Sequence, residues 1–393
     1  MAISTNKMRL IDNYIGKPVC YLLSLYAMLK GLLPQKKTRT FRTILFSKYF
    51  GMGSIVHATP LMRAVRQKYP ESEIVFLSFS ANEHFLKTLP EVNEVVCLRT
   101  GGLIDFCMSV VSALYRLRRM KVDVVFNLEF FSKFGTIMSF LTGANITSGY
   151  FLQEPWRYRL VTHKVYYNHY KHISEIFMAL GSAIGIDSQD YTLSTPVINE
   201  AEENRVAEIF KENSLEENDY IVAINVNAGS LSTNRCWPLN NFSDLTRRIV
   251  NKQNVKVVLV GGVEDVSNVN KFIGLIKDCP NIVSLAGKIS IEQLLVLFKK
   301  VDLFITNDSG PLHLAIMMDA PTISFFGPET PTLYGPGENE KHTVFFKGDY
   351  CSPCLHVYNE KIWECRDNVC LKKITVDEVF EAVVKYYNKK VVC

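Results

Sequence analysis

The hydrophobic positions fall into short β-branched or aromatic runs separated by longer amphipathic stretches, the signature of a parallel sheet covered by helices. The pattern runs twice. Its first passage predicts strands over Thr43–Phe50, Glu73–Phe79, Glu94–Leu98, Val122–Leu128 and Ile146–Tyr150, with helices over Ser54–Tyr69, Ile104–Met120, Ser132–Leu141 and His172–Ile186. The polar stretch Asp187–Asn218 reads as a connection between domains. The second passage predicts strands over Tyr220–Val226, Val255–Val260, Ile282–Leu285, Leu303–Thr306 and Thr322–Phe326. Helices fall near Asn241–Lys252, Asp265–Lys277, Ile291–Lys300, Pro311–Met318 and Val376–Tyr387. The predicted fold is α/β, two doubly wound domains facing across a cleft, with ligands outside the carboxyl ends of the strands.

Length agrees, since 393 residues exceed one ordinary core of about 100–200. Hydrophobic residues at 48% and charged residues at 21% exclude disordered and fibrous classes. The net charge of +5 is unevenly placed: residues 1–70 hold twelve Lys/Arg against Asp12 alone, a surplus of eleven that leaves −6 on the remainder. Within that segment Val19–Leu29 is uncharged, between Lys17 and Lys30, and Lys36, Lys37, Arg39 and Arg42 come next. The run is too short for a bilayer span of about 20 residues, and the Lys-Gly-Leu-Leu-Pro-Gln-Lys-Lys after it is unlike a signal-peptide cleavage site. It reads as an interfacial helix whose lysines meet anionic headgroups; a helix packed on its own protein is an alternative of equal weight. Nucleic acid is the weaker partner, because Arg-rich aromatic interleaving is missing.

Chemistry concentrates at the strand ends of the second half. Thr306-Asn-Asp-Ser-Gly-Pro-Leu-His-Leu-Ala315 joins a strand to a short helix. Pro311 suits the first helical position, which makes Gly310 the N-cap and aims the N–H groups of Gly310, Leu312 and His313 at an anion such as phosphate. Asp308 is an awkward neighbour for a phosphate and a good one for sugar hydroxyls. Taken alone, Asp308 and Ser309 read equally well as helix caps, and His313 as a first-turn filler. Three further strand ends tilt the balance. The loop Asn225–Pro238, with Gly229, Ser230 and Arg235, can wrap a diphosphate in backbone N–H groups and a guanidinium. Gly261-Gly-Val-Glu-Asp265 places two acids for a ribose, and Leu285-Ala-Gly-Lys288 adds a lysine. A nucleotide diphosphate ligand is the predicted partner.

Together with Pro321–Pro331 and Tyr334-Gly-Pro336, this motif resembles glycosyltransferase family nine, the heptosyltransferases of lipopolysaccharide core assembly, over about residues 41–385. The resemblance implies a GT-B fold of two Rossmann-like domains, the second binding the nucleotide sugar, and inverting, metal-independent transfer to a lipid-linked acceptor. It assigns Asp308 to donor-sugar hydroxyls, Ser309, Gly310 and His313 to the phosphates, Ser230 and Arg235 to the diphosphate, and Glu264 or Asp265 to the ribose. With the patterning above, the chain divides into a basic amphipathic membrane-proximal segment 1–40, an acceptor domain 41–190, a donor domain 215–375, and a C-terminal helix and tail 376–393. The implied partners are a nucleotide diphosphate sugar, ADP-heptose favoured, a glycolipid acceptor and an anionic membrane surface. The implied location is the inner face of the cytoplasmic membrane, with no catalytic cofactor and no nucleic acid.

The family's first-domain motif has Gly-Asp, two apolar residues, His, two more residues and Pro; this chain has Gly53-Ser-Ile-Val-His-Ala-Thr-Pro60. Ser54 stands where the family would use aspartate as general base, and a serine hydroxyl of ordinary pKa cannot take that proton. Glu129, at the end of the strand Val122–Leu128 and followed by two phenylalanines, is the predicted substitute, because apolar surroundings raise a carboxyl pKa toward a useful value. An acid at a helix amino terminus is its plainer reading, and His57 is the reserve base. Cys351, Cys354, Cys365 and Cys370, spaced C-x2-C-x10-C-x4-C, form a candidate structural zinc site, with disulfides and unligated thiols as competing readings. Two other classes are carried along. Ser54 motivates a non-catalytic binder of nucleotide sugar or glycolipid. A nucleotide-dependent oxidoreductase is disfavoured because Gly51-Met-Gly-Ser-Ile-Val56 lacks the third glycine of G-x-G-x-x-G.

Overall fold

The computed structural model describes residues 5–30, 40–151, 155–229, 235–361 and 365–391. Lys36, Lys37, Arg39 and Ser230, singled out above, lie outside them. The chain divides into two compact units, Met1–Thr195 and Pro196–Cys393. The first carries six parallel strands: β1 Thr43–Ser47, β2 Glu73–Phe79, β3 Glu94–Leu98, β4 Val124–Asn127, β5 Ile146–Tyr150 and β6 His163–Val165, in the order β3-β2-β1-β4-β5-β6. The second carries β7 Tyr220–Asn225, β8 Val255–Leu259, β9 Ile282–Ser284, β10 Leu303–Asn307, β11 Thr322–Phe326 and β12 His342–Phe346, in the order β12-β11-β10-β7-β8-β9. Both sheets have the topology of dinucleotide-binding folds, in which the strand order reverses beside the first strand. The reversal falls between β1 and β4 in one unit and between β7 and β10 in the other.

Every predicted strand is present. The two that sequence reading misses, β6 and β12, are edge strands. β6 has only three residues, two of them exposed, and β12 is half-buried throughout. An edge strand needs no continuous apolar run, so the signal used for the central strands fades there. The helix predicted over Ser54–Tyr69 is two, Met52–Val56 and Thr59–Lys68. Pro60 starts the second because it has no N–H to continue the first. Within Asp187–Asn218 lies a helix, Glu200–Glu212, capped by Asn199 and packed on the helix Ile291–Lys300.

Each core follows from the strand register. Phe46 of β1 pairs with Phe76 and Phe126 of its neighbours, and the three rings pack in a row on the first sheet. In the second unit Trp237 lies fully buried, stacked on Phe325 at 4.6 Å between ring centres, with its indole N–H donating to the Ile374 carbonyl. The terminal helix Val376–Val391 covers this core beside Leu239–Val250.

The amino-terminal helices Thr5–Ile11 and Lys17–Lys30 flank a π-helical turn, Asp12–Gly16. Asp12 accepts hydrogen bonds from the backbone N–H groups of Lys133 (3.0 Å) and Phe134 (2.6 Å), and so caps the helix Lys133–Leu141. Gly16, Cys20 and Ser24 turn inward, and a Cβ on Gly16 would lie 2.7 Å from Lys133 Cβ. The helix is thus attached to its own protein through small residues. Losing a cap of this kind costs about 0.5–2 kcal/mol. Asp12→Ala is therefore expected to speed amide hydrogen exchange across residues 12–29 and to lower Tm; unchanged exchange there would refute the tether.

Candidate functional site

The polar chemistry of the second unit gathers at its strand-order reversal. β10 ends in Asn307, whose side-chain amide donates to the carbonyls of Val226 (3.1 Å) and Asn227 (3.3 Å) and whose oxygen accepts from Trp237 N–H (2.7 Å). One buried amide therefore fixes the loop after β7 against the end of β10, a role sequence reading did not assign. Next to it Asp308 is buried and pairs with Arg235 at 2.5 Å; the same guanidinium also donates to the Asp308 carbonyl at 2.6 Å. Burial opposes the charge of Arg235, but Asp308 and Glu329 outweigh it and hold the guanidinium above its ordinary pKa. Among the described residues, the Arg235 Nε has no hydrogen-bond partner. His313 Nε2 lies 3.8 Å from the second Asp308 oxygen.

The helix Gly310–Met317 begins one residue earlier than predicted: Ser309 is its N-cap, and Gly310 is already helical. The N–H of Leu312, predicted to face an anion, instead donates to the Ser309 carbonyl at 3.2 Å. Gly229 sits exposed at φ +73°, a backbone shape that suits glycine. At the end of β8 the two acids separate in role. Asp265 accepts from Gly262 N–H (3.0 Å), and its carboxyl pKa is raised by burial, whereas Glu264 is exposed. Lys288, after β9, is exposed and donates to the Ser284 carbonyl. Since β10, β7, β8 and β9 are neighbours in that order, Asp308, Arg235, Glu264 and Lys288 lie along one carboxyl edge. Three strand intervals of about 4.8 Å span roughly 14 Å.

Sequence reading also passed over Glu329. It is buried after β11, with Lys361 Nζ 2.5 Å from Oε1, and among the described residues its Oε2 is without a hydrogen-bond partner. Burial, and then the nearby Asp308 charge, raise its pKa against the opposing pull of Lys361 and Arg235. Lys361 also donates to the Tyr334 hydroxyl (3.0 Å) and lies 4.4 Å from the centre of that ring. Only proximity in the fold, not spacing, could have revealed this buried charge chain.

The first unit repeats the arrangement at its own reversal. Gly51, at φ +81°, turns the chain from β1 into the helix bearing Ser54, which is half-buried. Glu129, just past β4, meets a cation where an apolar pocket was expected. Its Oε2 accepts from Lys48 Nζ (2.9 Å), and its Oε1 accepts from the backbone N–H of Tyr49 (2.9 Å). Phe130 packs on Tyr150 and Tyr167. Arg157, whose pKa burial lowers to about 10, still carries its charge at neutral pH and donates to the carbonyls of Glu129 and Phe130. His57 is buried; its Nδ1 lies 3.3 Å from Ser174 Oγ, and its ring meets His172 edge-on.

The thiols of Cys351, Cys354, Cys365 and Cys370 share one neighbourhood: burial, and then the other three, push Cys354 up to about 11. Among the described residues, no group of three or more His, Cys, Asp and Glu is arranged to hold a metal ion.

Two Rossmann-type units in series, each with polar groups at its strand-order reversal, define an α/β protein of the GT-B class. The model of glycosyltransferase family 9 (heptosyltransferase) matches residues 112–362, and the chain belongs to that family. It is a glycosyltransferase. Among its relatives, lipopolysaccharide heptosyltransferase 3 of Escherichia coli is 26% identical over 305 residues, covering 76% of this chain and 86% of that one. The family 9 glycosyltransferase of Veillonella parvula superposes with a TM-score of 0.72 at 20% identity, covering 89% of this chain and 98% of that one. The Escherichia coli ADP-heptose lipopolysaccharide heptosyltransferase II gives 0.70 at 18%, covering 89% and 99%. The turn Gly53–Pro60 lies ahead of the matched stretch.

Removing one partner of a buried ion pair typically destabilises by about 3–5 kcal/mol, because the other charge is left uncompensated. Arg235→Met is therefore expected to lower Tm sharply, and the double variant Arg235→Met/Asp308→Asn to recover part of the loss in thermal unfolding. Additive losses would mean that the pair is not coupled.

Proposed function

We propose that this chain moves a sugar, heptose most readily, from a nucleotide diphosphate sugar to a lipopolysaccharide-core or related glycolipid acceptor, with inversion and without a catalytic metal. ADP-heptose is the favoured donor, in keeping with the ADP-heptose named for the Escherichia coli relative. The observation that carries the reading is the Arg235–Asp308 pair, with the unpartnered Arg235 Nε beside it. A buried donor without a partner is a group that a ligand oxygen can satisfy. On this reading the donor diphosphate draws Arg235 to itself, which frees Asp308 to accept hydrogen bonds from sugar hydroxyls. Ser309, Gly310 and His313 serve the phosphates, Gly229 and Ser230 the diphosphate, and Glu264 the ribose; Asp265 shapes that turn and Lys288 borders it.

The acceptor meets the first unit. A base removes the hydroxyl proton as that oxygen bonds to the anomeric carbon from the face opposite the diphosphate. The bond to the diphosphate breaks, and its electron pair leaves with the nucleotide, stabilised by Arg235 and the helix amino terminus. Glu129 is the base proposed here, with His57 in reserve and Ser54 contacting the acceptor; to act, Glu129 must part from Lys48. That ion pair is also the observation favouring the second reading, a non-catalytic binder, which product formation from any donor and acceptor would exclude. The enzyme works on the inner face of the cytoplasmic membrane. A structural zinc on Cys351, Cys354, Cys365 and Cys370 would give about one equivalent per chain by elemental analysis; none would reject it.

Two measurements test the central reading. A thermal-shift screen of ADP-, UDP-, GDP- and CDP-sugars should single out ADP-heptose, since a ligand at 100 times its Kd adds about 2.7 kcal/mol of stability; no shift with any of them would sink the proposal. Glu129→Gln should lower turnover by about 10²–10⁴ with donor binding intact, and a loss under tenfold would remove Glu129 from catalysis.

A further inference from the structure

The amino-terminal helix is inside out. Its inward face is Gly16, Cys20 and Ser24, while Tyr14, Leu22, Leu25, Tyr26 and Leu29 stand 57–77% exposed. A second helix of the same unit, Leu103–Met120, does likewise. Ser109, Ala113 and Leu117 are buried, whereas Ile104, Met108, Val111 and Tyr115, one stripe at steps of four, three and four residues, are 57–77% exposed. The two helices share a flank: Phe106 of the second packs on Phe134 at 5.5 Å, and the Phe134 N–H donates to Asp12. Monomeric proteins rarely leave apolar surface of this extent to water.

Charge says what covers it. Residues 5–30 carry Lys7, Arg9, Lys17 and Lys30 against Asp12, whose carboxylate is held as a helix cap. The second helix ends in Arg116, Arg118 and Arg119, with Lys121 next; Arg116 pairs with Glu94, and Asp105 with Arg99, which leaves Arg118, Arg119 and Lys121 as its basic end. Two copies of this chain would meet through like charges, whereas an anionic lipid surface offers both the opposite charge and an apolar layer. Among the described residues, no helix is long and apolar enough to cross a membrane.

We infer that Ile104, Met108, Val111 and Tyr115 form a second membrane-contact stripe, which with the amino-terminal helix seats the first unit flat on an anionic bilayer. The inference rests on the reading that the acceptor is a membrane glycolipid. Two anchor lines fix an orientation that one helix leaves free to swivel, and so hold the strand ends of the first unit at a set height above the lipid.

The test is partitioning of the full chain onto vesicles of phosphatidylcholine with about 30% phosphatidylglycerol, an anionic surface of the kind that attracts basic segments. Ile104→Glu/Val111→Glu should lower the partition coefficient at least tenfold while leaving the nucleotide-sugar thermal shift unchanged, and Leu22→Glu/Leu25→Glu should lower it separately. Ile104→Ser/Val111→Ser, a milder change, should give an intermediate loss and serves if the glutamates disturb folding. Unchanged partitioning of both variants at 104 and 111 would overturn the inference, as would equal binding to pure phosphatidylcholine, or a wild-type dimer that these substitutions split. A protein that partitions this way yet shows no shift with any nucleotide sugar would instead fail the functional reading alone.

Discussion

In each sheet the strands run parallel and are covered on both faces, so the sheet interior has no room for chemistry. Polar groups that must reach a ligand are confined to the carboxyl ends, and the widest opening is where the strand order reverses. Everything of functional interest depends on that constraint. Asn307, Asp308 and Arg235 meet beside β7 and β10, and Lys48, Glu129 and the Ser54 turn meet beside β1 and β4.

The two reversals are furnished differently. In the second unit the buried charges form a chain, Lys361 to Glu329 and Arg235 to Asp308, with partnerless polar atoms at Glu329 and Arg235. Such a site is poised to gain from a ligand, because each unsatisfied buried group carries a desolvation penalty of about 1–3 kcal/mol. In the first unit Glu129 is already satisfied by Lys48 and backbone N–H groups, and Arg157 holds the carbonyls behind it. On the proposed mechanism Glu129 must part from Lys48, just as Arg235 must part from Asp308; among the described residues the first unit also keeps buried polar atoms without hydrogen-bond partners at its strand ends, Ser47 Oγ and Asn127 Nδ2.

The residues proposed for the donor were legible as strand-end positions, because they come as contiguous motifs. Asp308, Gly229 and Glu264 all stand at the predicted carboxyl ends. What escaped was side-chain pairing between segments. Arg235 is 73 residues from Asp308, and Lys48 is 81 from Glu129; nothing in local pattern marks such partners. The N-cap shift from Gly310 to Ser309, and the Leu312 N–H turned to its own helix, are changes of a single residue that only backbone geometry settles.

The amino-terminal segment shows the same division. Its uncharged run between basic clusters suited an interfacial helix and a helix packed on its own protein equally, and its small residues gave no hint of where they would go. The fold decided that: Gly16, Cys20 and Ser24 permit a close approach to Lys133 and Trp156, and Asp12 caps the helix that starts there. Periodicity and strand-end motifs by themselves determined two doubly wound units and pointed to a nucleotide site in the second, since both depend on close neighbours along the chain. Tertiary structure alone decided which charges neutralise each other and which apolar faces stay uncovered, because those depend on residues brought together from opposite ends of a unit.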